Sequence, residues 1–225
     1  MSLFGLFKKT KPVAATGSES FQAFYCDYIA APGRDAIRNG LDEAVFAKLT
    51  PSELAEAERL LMERLAAPGD SRAAVGLGVI GAKQAVAPLR RLAAVQKNAS
   101  FASVAYAQAL WRIARDPAAI EAVVALAQAK QLNNTHRMDA VRALAEMPAE
   151  QTRQVLLGLL QSEPDYLLRY HSFNALLMLS GLPWAKANEQ AGAMAPMLAR
   201  MLADANARDA VMAKLAELSA PPAAG

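Results

Sequence analysis

"AAVGLGVIGA", residues 73–82, sets Gly76, Gly78 and Gly81 in the order G-x-G-x-x-G. Three glycines so spaced suit two different structures. In a dinucleotide-binding domain they form the phosphate-binding turn, which follows a strand, opens a helix, and has an acid for the ribose about 20 residues on. In a helical protein they are positions where two helix backbones approach closely, at some cost in helix propensity. The neighbourhood separates the two. "RLAAPGDSRAA", residues 64–74, reads as a helix, a turn and a helix start rather than a strand, and residues 71–115 contain no Asp or Glu at all. The stretch is therefore expected to be helix, and no nucleotide cofactor is expected on it.

Three later segments repeat its pattern. "AVGLGVIG" (74–81), "AQALWRIA" (107–114), "VRALAEMP" (141–148) and "NALLMLSG" (174–181) align on Leu77, Leu110, Leu144 and Leu177, at intervals of 33, 34 and 33 residues. Four residues before each leucine stand Ala73, Tyr106, Ala140 and Phe173, and three after it Ile80, Ile113, Met147 and Ser180, an apolar stripe at helical spacing. A turn and a second apolar helix follow each time: "AVAPLRRLAAV", "PAAIEAVVALAQA", "AEQTRQVLLGLLQ" and "AGAMAPMLARMLA". One helix pair cannot bury its own apolar face, whereas stacked pairs bury a continuous one.

Composition agrees. The chain of 225 residues is 54% hydrophobic but only 6% aromatic. Its Ala and Leu favour closely packed helices, and its Val and Ile do not alternate as in strands. No apolar run reaches the roughly 20 residues of a membrane span. In "MSLFGLFKKTKP" the apolar residues precede the lysines, the reverse of a secretory signal. Cys26 is the single cysteine, which rules out an intrachain disulfide. A cytoplasmic protein is the simplest expectation. Thr50-Pro51-Ser52-Glu53 has the form of a capping box, Asp116-Pro117 that of a second helix start, and residues 133–134 and 181–183 those of breaks. Phe21, Phe24, Tyr25 and Tyr28 share one helical face ahead of the repeats, as expected of a cap over the first apolar end. The expected organisation is a flexible basic leader (1–17), a helical cap (18–69), repeats (70–219) and a disordered tail (220–225).

Ala74, Leu77, Gly78 and Gly81, followed by Ala85, Val86, Pro88 and Leu89, resemble HEAT-like repeats, particularly the short kind of the phycobiliprotein lyases. Weaker copies extend the resemblance over roughly 70–205. Tetratricopeptide repeats share the period, but their Trp, Gly and Tyr positions are not met. The resemblance implies an all-α, right-handed α-solenoid. It also implies a choice of roles: interaction scaffold, regulatory subunit, toxin-neutralising partner, chromophore lyase or, in one branch, alkylpurine DNA glycosylase. A fold shared so widely does not select among them.

Sites of chemistry are scarce. His136 and His171 occupy corresponding regions of neighbouring repeats, with Asp139 between them, but no H-x-x-x-H or H-E-x-x-H spacing occurs, and Arg137 and Arg169 stand close by. They read as polar helix starts, with no metal site expected. Ser172 and Ser180 lack a G-x-S-x-G elbow. The glycosylase branch uses tryptophans with a nearby aspartate. Trp111 and Asp116 match in type, but five residues apart the acid points away from the ring and caps the next helix. Trp184, after a proline, is expected to pack a loop. No catalytic residue is expected.

A binding role has more to rest on. Arg72, Lys83, Arg90, Arg91, Lys97, Arg112 and Arg115 are the charged residues of the acid-free stretch 71–115. Two readings stand for them: a basic patch at one edge of adjacent repeats, or cations solvated or paired with acids such as Glu56, Glu63 and Asp70. The second helices are expected to line the concave side, where Arg91, Glu121, Gln128, Gln154 and Gln161 make a mixed polar face rather than a phosphate track. The expected function is a non-catalytic adaptor, regulator or neutralising partner gripping a protein, with an acidic protein surface ahead of nucleic acid. DNA binding is the alternative. Leu3, Phe4, Leu6 and Phe7 with three lysines offer at most weak contact with an anionic membrane.

Overall fold

A computed structural model describes residues 17–30, 41–66, 70–96 and 100–219. Residues 1–16 of the leader, Lys97 and the tail 220–225 lie outside the described residues. Helix α1 (Glu19–Phe24) continues as a π-helical stretch, Tyr25–Ala30, and a 3-10 segment, Glu43–Lys48, leads to α2 (Pro51–Leu65). The repeats then run α3 (Ser71–Ile80) with α4 (Val86–Val95), α5 (Phe101–Ala114) with α6 (Pro117–Gln128), and α7 (Asn134–Leu144) with α8 (Glu150–Ser162). In the fourth, α9 (Tyr166–Leu179) is followed by α10 (Trp184–Ala193) and α11 (Ala195–Arg200), and α12 (Ala205–Ser219) closes the described chain. There is no strand among the described residues.

Local chemistry sets the boundaries. The capping box at α2 is complete: Thr50 Oγ1 accepts from the Glu53 N–H (3.3 Å) and Glu53 accepts from the Thr50 N–H (3.0 Å). The same carboxylate accepts the Ser18 N–H at 2.8 Å, so one acid fastens the starts of α1 and α2 together. Asp70, Ser100, Asp116, Asn133 and Asp165 cap α3, α5, α6, α7 and α9 with their own side chains. Gly81 and Gly181, each four residues past a repeat leucine, end α3 and α9 in the left-handed region (φ 75° and 96°), where a side chain is strained.

First helices α3, α5, α7 and α9 pack side by side, and α4, α6 and α8 each lean on the first helix of the following repeat. Leu77, Leu110, Leu144 and Leu177 are all buried at these contacts. Gly76 and Gly78 are close-approach positions, as the repeat reading expects. A Cβ on Gly78 would lie 3.0 Å from the Ala109 Cα on α5, and one on Gly76 would lie 2.8 Å from a Leu61 methyl on α2. At the front, Phe21, Phe24, Tyr28 and Phe46 form a ring cluster with centroids 4.9–5.7 Å apart. It covers the end of the stack against α2 and α3. The molecule is an all-α solenoid of stacked helix pairs.

Candidate functional site

Three arginines of the basic stretch are paired with carboxylates. Arg72 is buried and paired with Asp70 at 3.3 Å. Arg90 holds Asp116 at 2.8 Å. Arg112 bridges Glu43 (3.0 Å) and Glu146 (2.7 Å), tying the cap to the third repeat. Arg115 covers the Trp111 ring at 5.1 Å. Lys83 and Arg91 are exposed, apart from these pairs. Of the acids expected as partners, Asp70 takes Arg64 and Arg72, whereas Glu56 and Glu63 bind Arg59 on their own helix. Glu121, Gln128, Gln154 and Gln161 are exposed on the second helices α6 and α8. Gln154 bonds Glu150 of its own helix, and Gln161 reaches the Met212 sulfur.

Trp111 and Asp116 are engaged structurally. The indole N–H donates to the Glu146 carbonyl oxygen at 2.8 Å, and Asp116 accepts the Ala118 N–H at 3.1 Å while holding Arg90. His136 lies in the first turn of α7, as a polar helix start should, but His171 does not fit that expectation. It sits midway along α9 and faces a groove. Trp184 also departs from its expected place: it opens α10, after Pro183, and is 63% exposed instead of packing a loop. Pro183 supplies the extended residue from which α10 starts.

That groove is a cavity of about 490 Å³ crossing three successive repeats. Val104 and Ala105 of α5, Ala143 of α7 and Ala175 and Met178 of α9 give it apolar walls, and Trp184 stands over one end. Its polar groups are Asp139 and Arg142 on α7, Glu146 in the turn after it, and His171 and Asn174 on α9, with Gln108 opposite on α5 and Asn188 on α10.

Most of these groups are bound into the frame, but two are not. Glu146 receives Gln108 Nε2 (2.9 Å) and the Arg112 fork (2.7 Å each). Arg142 Nη2 lies 3.3 Å from His171 Nε2. Burial, reinforced by the Arg142 charge, pushes the imidazole down to about 4, so the neutral ring accepts there. Asn188 Oδ1 accepts from the Tyr170 hydroxyl (3.1 Å) and Asn174 Nδ2 (3.3 Å). This leaves Asn174 Oδ1, on a side chain only 5% exposed, buried without a hydrogen-bond partner among the described residues. Asp139 has no hydrogen-bond donor either among the described residues. Burial raises its carboxyl above the ordinary carboxylate value, with Arg142 and His136 opposing the shift.

The groove residues were not singled out by sequence as one site. The signal for them is the intrusion of His171 and Asn174 into "YLLRYHSFNALLML", an otherwise mostly apolar helix. Two arginines that the sequence reading named only as neighbours of the histidines are structural. Arg137 is buried against Glu163 (2.5 Å) and donates to the Ala127 carbonyl (3.0 Å). Arg169 donates to the carbonyls of Glu163, Pro164, Leu198 and Ala199.

Among the described residues, no group of three or more His, Cys, Asp or Glu is placed to hold a metal ion, and no helix is long and apolar enough to cross a membrane. The family model of HEAT repeats matches residues 100–177, which span α5 to α9 and hold most of the groove. No significant match was found among curated proteins or among solved structures.

Proposed function

We propose that this HEAT-like repeat protein is a non-catalytic protein-binding module, and that the groove across α5, α7 and α9 takes up an extended segment of its partner. The observation that carries this is the unfilled Asn174 acceptor at the bottom of a half-apolar groove with an exposed Trp184 at its mouth. A buried polar atom without a partner costs about 1–3 kcal/mol, which a ligand donor recovers on binding. Exposed aromatic rings beside apolar walls are the usual anchors of protein contacts. HEAT repeats commonly serve as interaction scaffolds, which supports the same reading. The neutralised arginines of 71–115 make the basic stretch the weaker candidate surface, for an acidic partner as for nucleic acid. Arg72, Arg90 and Arg112 already hold carboxylates, which breaks up any continuous track for phosphates.

The test places a photo-crosslinking residue at Trp184, and in a second variant at Glu121 on the opposite layer. In native lysate, a defined protein should be captured from position 184 and not from 121. Excess unlabelled wild-type chain should compete it away, and excess Trp184→Ala chain should not. Capture from 121 alone, or recovery of nucleic acid in place of protein, would reject the reading.

A further inference from the structure

We infer that the groove is a receptor for a basic side chain, arginine or lysine, carried on the partner's segment. This rests on the protein-binding reading above and names the residue type it selects. The unmet groups are both acceptors: the Asn174 Oδ1, buried and unpartnered, and the Asp139 carboxylate, which receives no hydrogen bond among the described residues. A cation with several N–H groups satisfies both. An anion or a carbonyl satisfies neither and faces two lone-pair surfaces.

Charge points the same way. The groups facing the groove are Asp139, Arg142 and Glu146, with a neutral His171, which leaves one negative charge in excess. Arg112 behind Glu146 is itself shared with Glu43, so the wider cluster keeps that excess. Such an imbalance inside a recess favours a cation and disfavours a phosphate backbone. The apolar walls match the methylene stem of a long basic side chain, whose head reaches the acceptors while the stem packs. Trp184 at the mouth offers an open ring face for the cation–π attraction that such a head or its neighbours gain on entry. Arg142 opposes an incoming cation. It is exposed and bonded to His171, so it sits at the rim, where it selects by repulsion against a segment carrying several adjacent charges.

The experiment uses the full chain and acetylated, amidated alanine pentapeptides whose central residue is arginine, citrulline, norleucine or glutamate. Binding is followed by calorimetry and by tryptophan fluorescence, with Trp184→Phe identifying the signal. The arginine peptide should saturate the site, and the citrulline peptide should bind about tenfold or more weakly, as expected for loss of a charge-assisted contact. Asp139→Asn should weaken the arginine peptide at least several-fold and leave the citrulline peptide nearly unchanged. Arg142→Gln should tighten the arginine peptide, a gain that no misfolded variant shows. An Asp139→Asn protein that melts like wild type yet binds the arginine peptide equally well overturns the inference, as does weakening by Arg142→Gln. Preferential binding of the glutamate or norleucine peptide also overturns it but leaves the groove a protein-binding surface. Absence of saturation by all four rejects the basic-residue receptor, while crosslinking from Trp184 separately determines whether the groove binds protein.

Discussion

Gly78 and Gly158 both lie inside helices, yet substitution should move stability in opposite directions. A Cβ at Gly158 meets nothing within 4 Å, so Gly158→Ala should stabilise by roughly 0.5–1 kcal/mol through helix propensity. A Cβ at Gly78 presses on the backbone of Ala109, which cannot rotate away. The same propensity gain is then outweighed by an overpacking cost of about 1–3 kcal/mol, so Gly78→Ala should destabilise. Urea midpoints of the two variants check both signs. His171 offers a test by pH. Unfolded, it takes a proton below its ordinary value of 6.5, whereas in the fold burial delays this to about 4. The unfolded state therefore binds more protons between those values, and stability falls as pH drops from about 6.5 to about 4. His171→Gln should lose less stability than wild type between pH 7 and pH 5. Parallel losses would show that the ring carries no such penalty.

Some helices in this chain are joined by arginine as well as by apolar contact. Arg137 lies under α6 with 4% of its side chain exposed, and Glu163, which ends α8, is 5% exposed. Removing either partner strands a buried charge, so Glu163→Gln or Arg137→Met alone should cost about 3–5 kcal/mol. The double variant Arg137→Met with Glu163→Leu should cost less than the sum of the separate changes, and a double-mutant cycle in urea measures that coupling. Additive losses would mean that the pair contributes only as two independent side chains. These elements also show where sequence was legible. The helix starts at Thr50 and Asp116 were, because each side chain accepts a free N–H of the first turn and a proline follows at the first helical position. The burial of Arg137 and Arg169 was not. A charged residue near a helix start reads as solvated unless one knows which carbonyls a neighbouring repeat turns toward it.

For the whole molecule, the recurrence of Leu77, Leu110, Leu144 and Leu177 was enough to anticipate stacked pairs, since a period near 33 residues leaves few ways to bury every stripe. The groove was beyond such reasoning. Asp139 and Asn174 line it together only because α7 and α9 lie side by side, and each is one unremarkable polar residue in its own helix. The partners of the cations in residues 71–115 were hidden for the same reason. Glu43 and Glu146, which hold Arg112, are 69 and 34 residues away in sequence. Local charge counts predict a surface potential only where the acids that answer them are also local.

Arg137, Arg153 and Arg169 address main-chain oxygens of other elements: Ala127, Leu179, and Leu198 with Ala199. A carbonyl oxygen is the same whatever side chain its residue bears. These particular contacts are therefore indifferent to the side chains of the residues whose carbonyls they grip, and sensitive to backbone position. At those carbonyls the side chain is free to vary while the clasp endures, so long as the main chain stays in place.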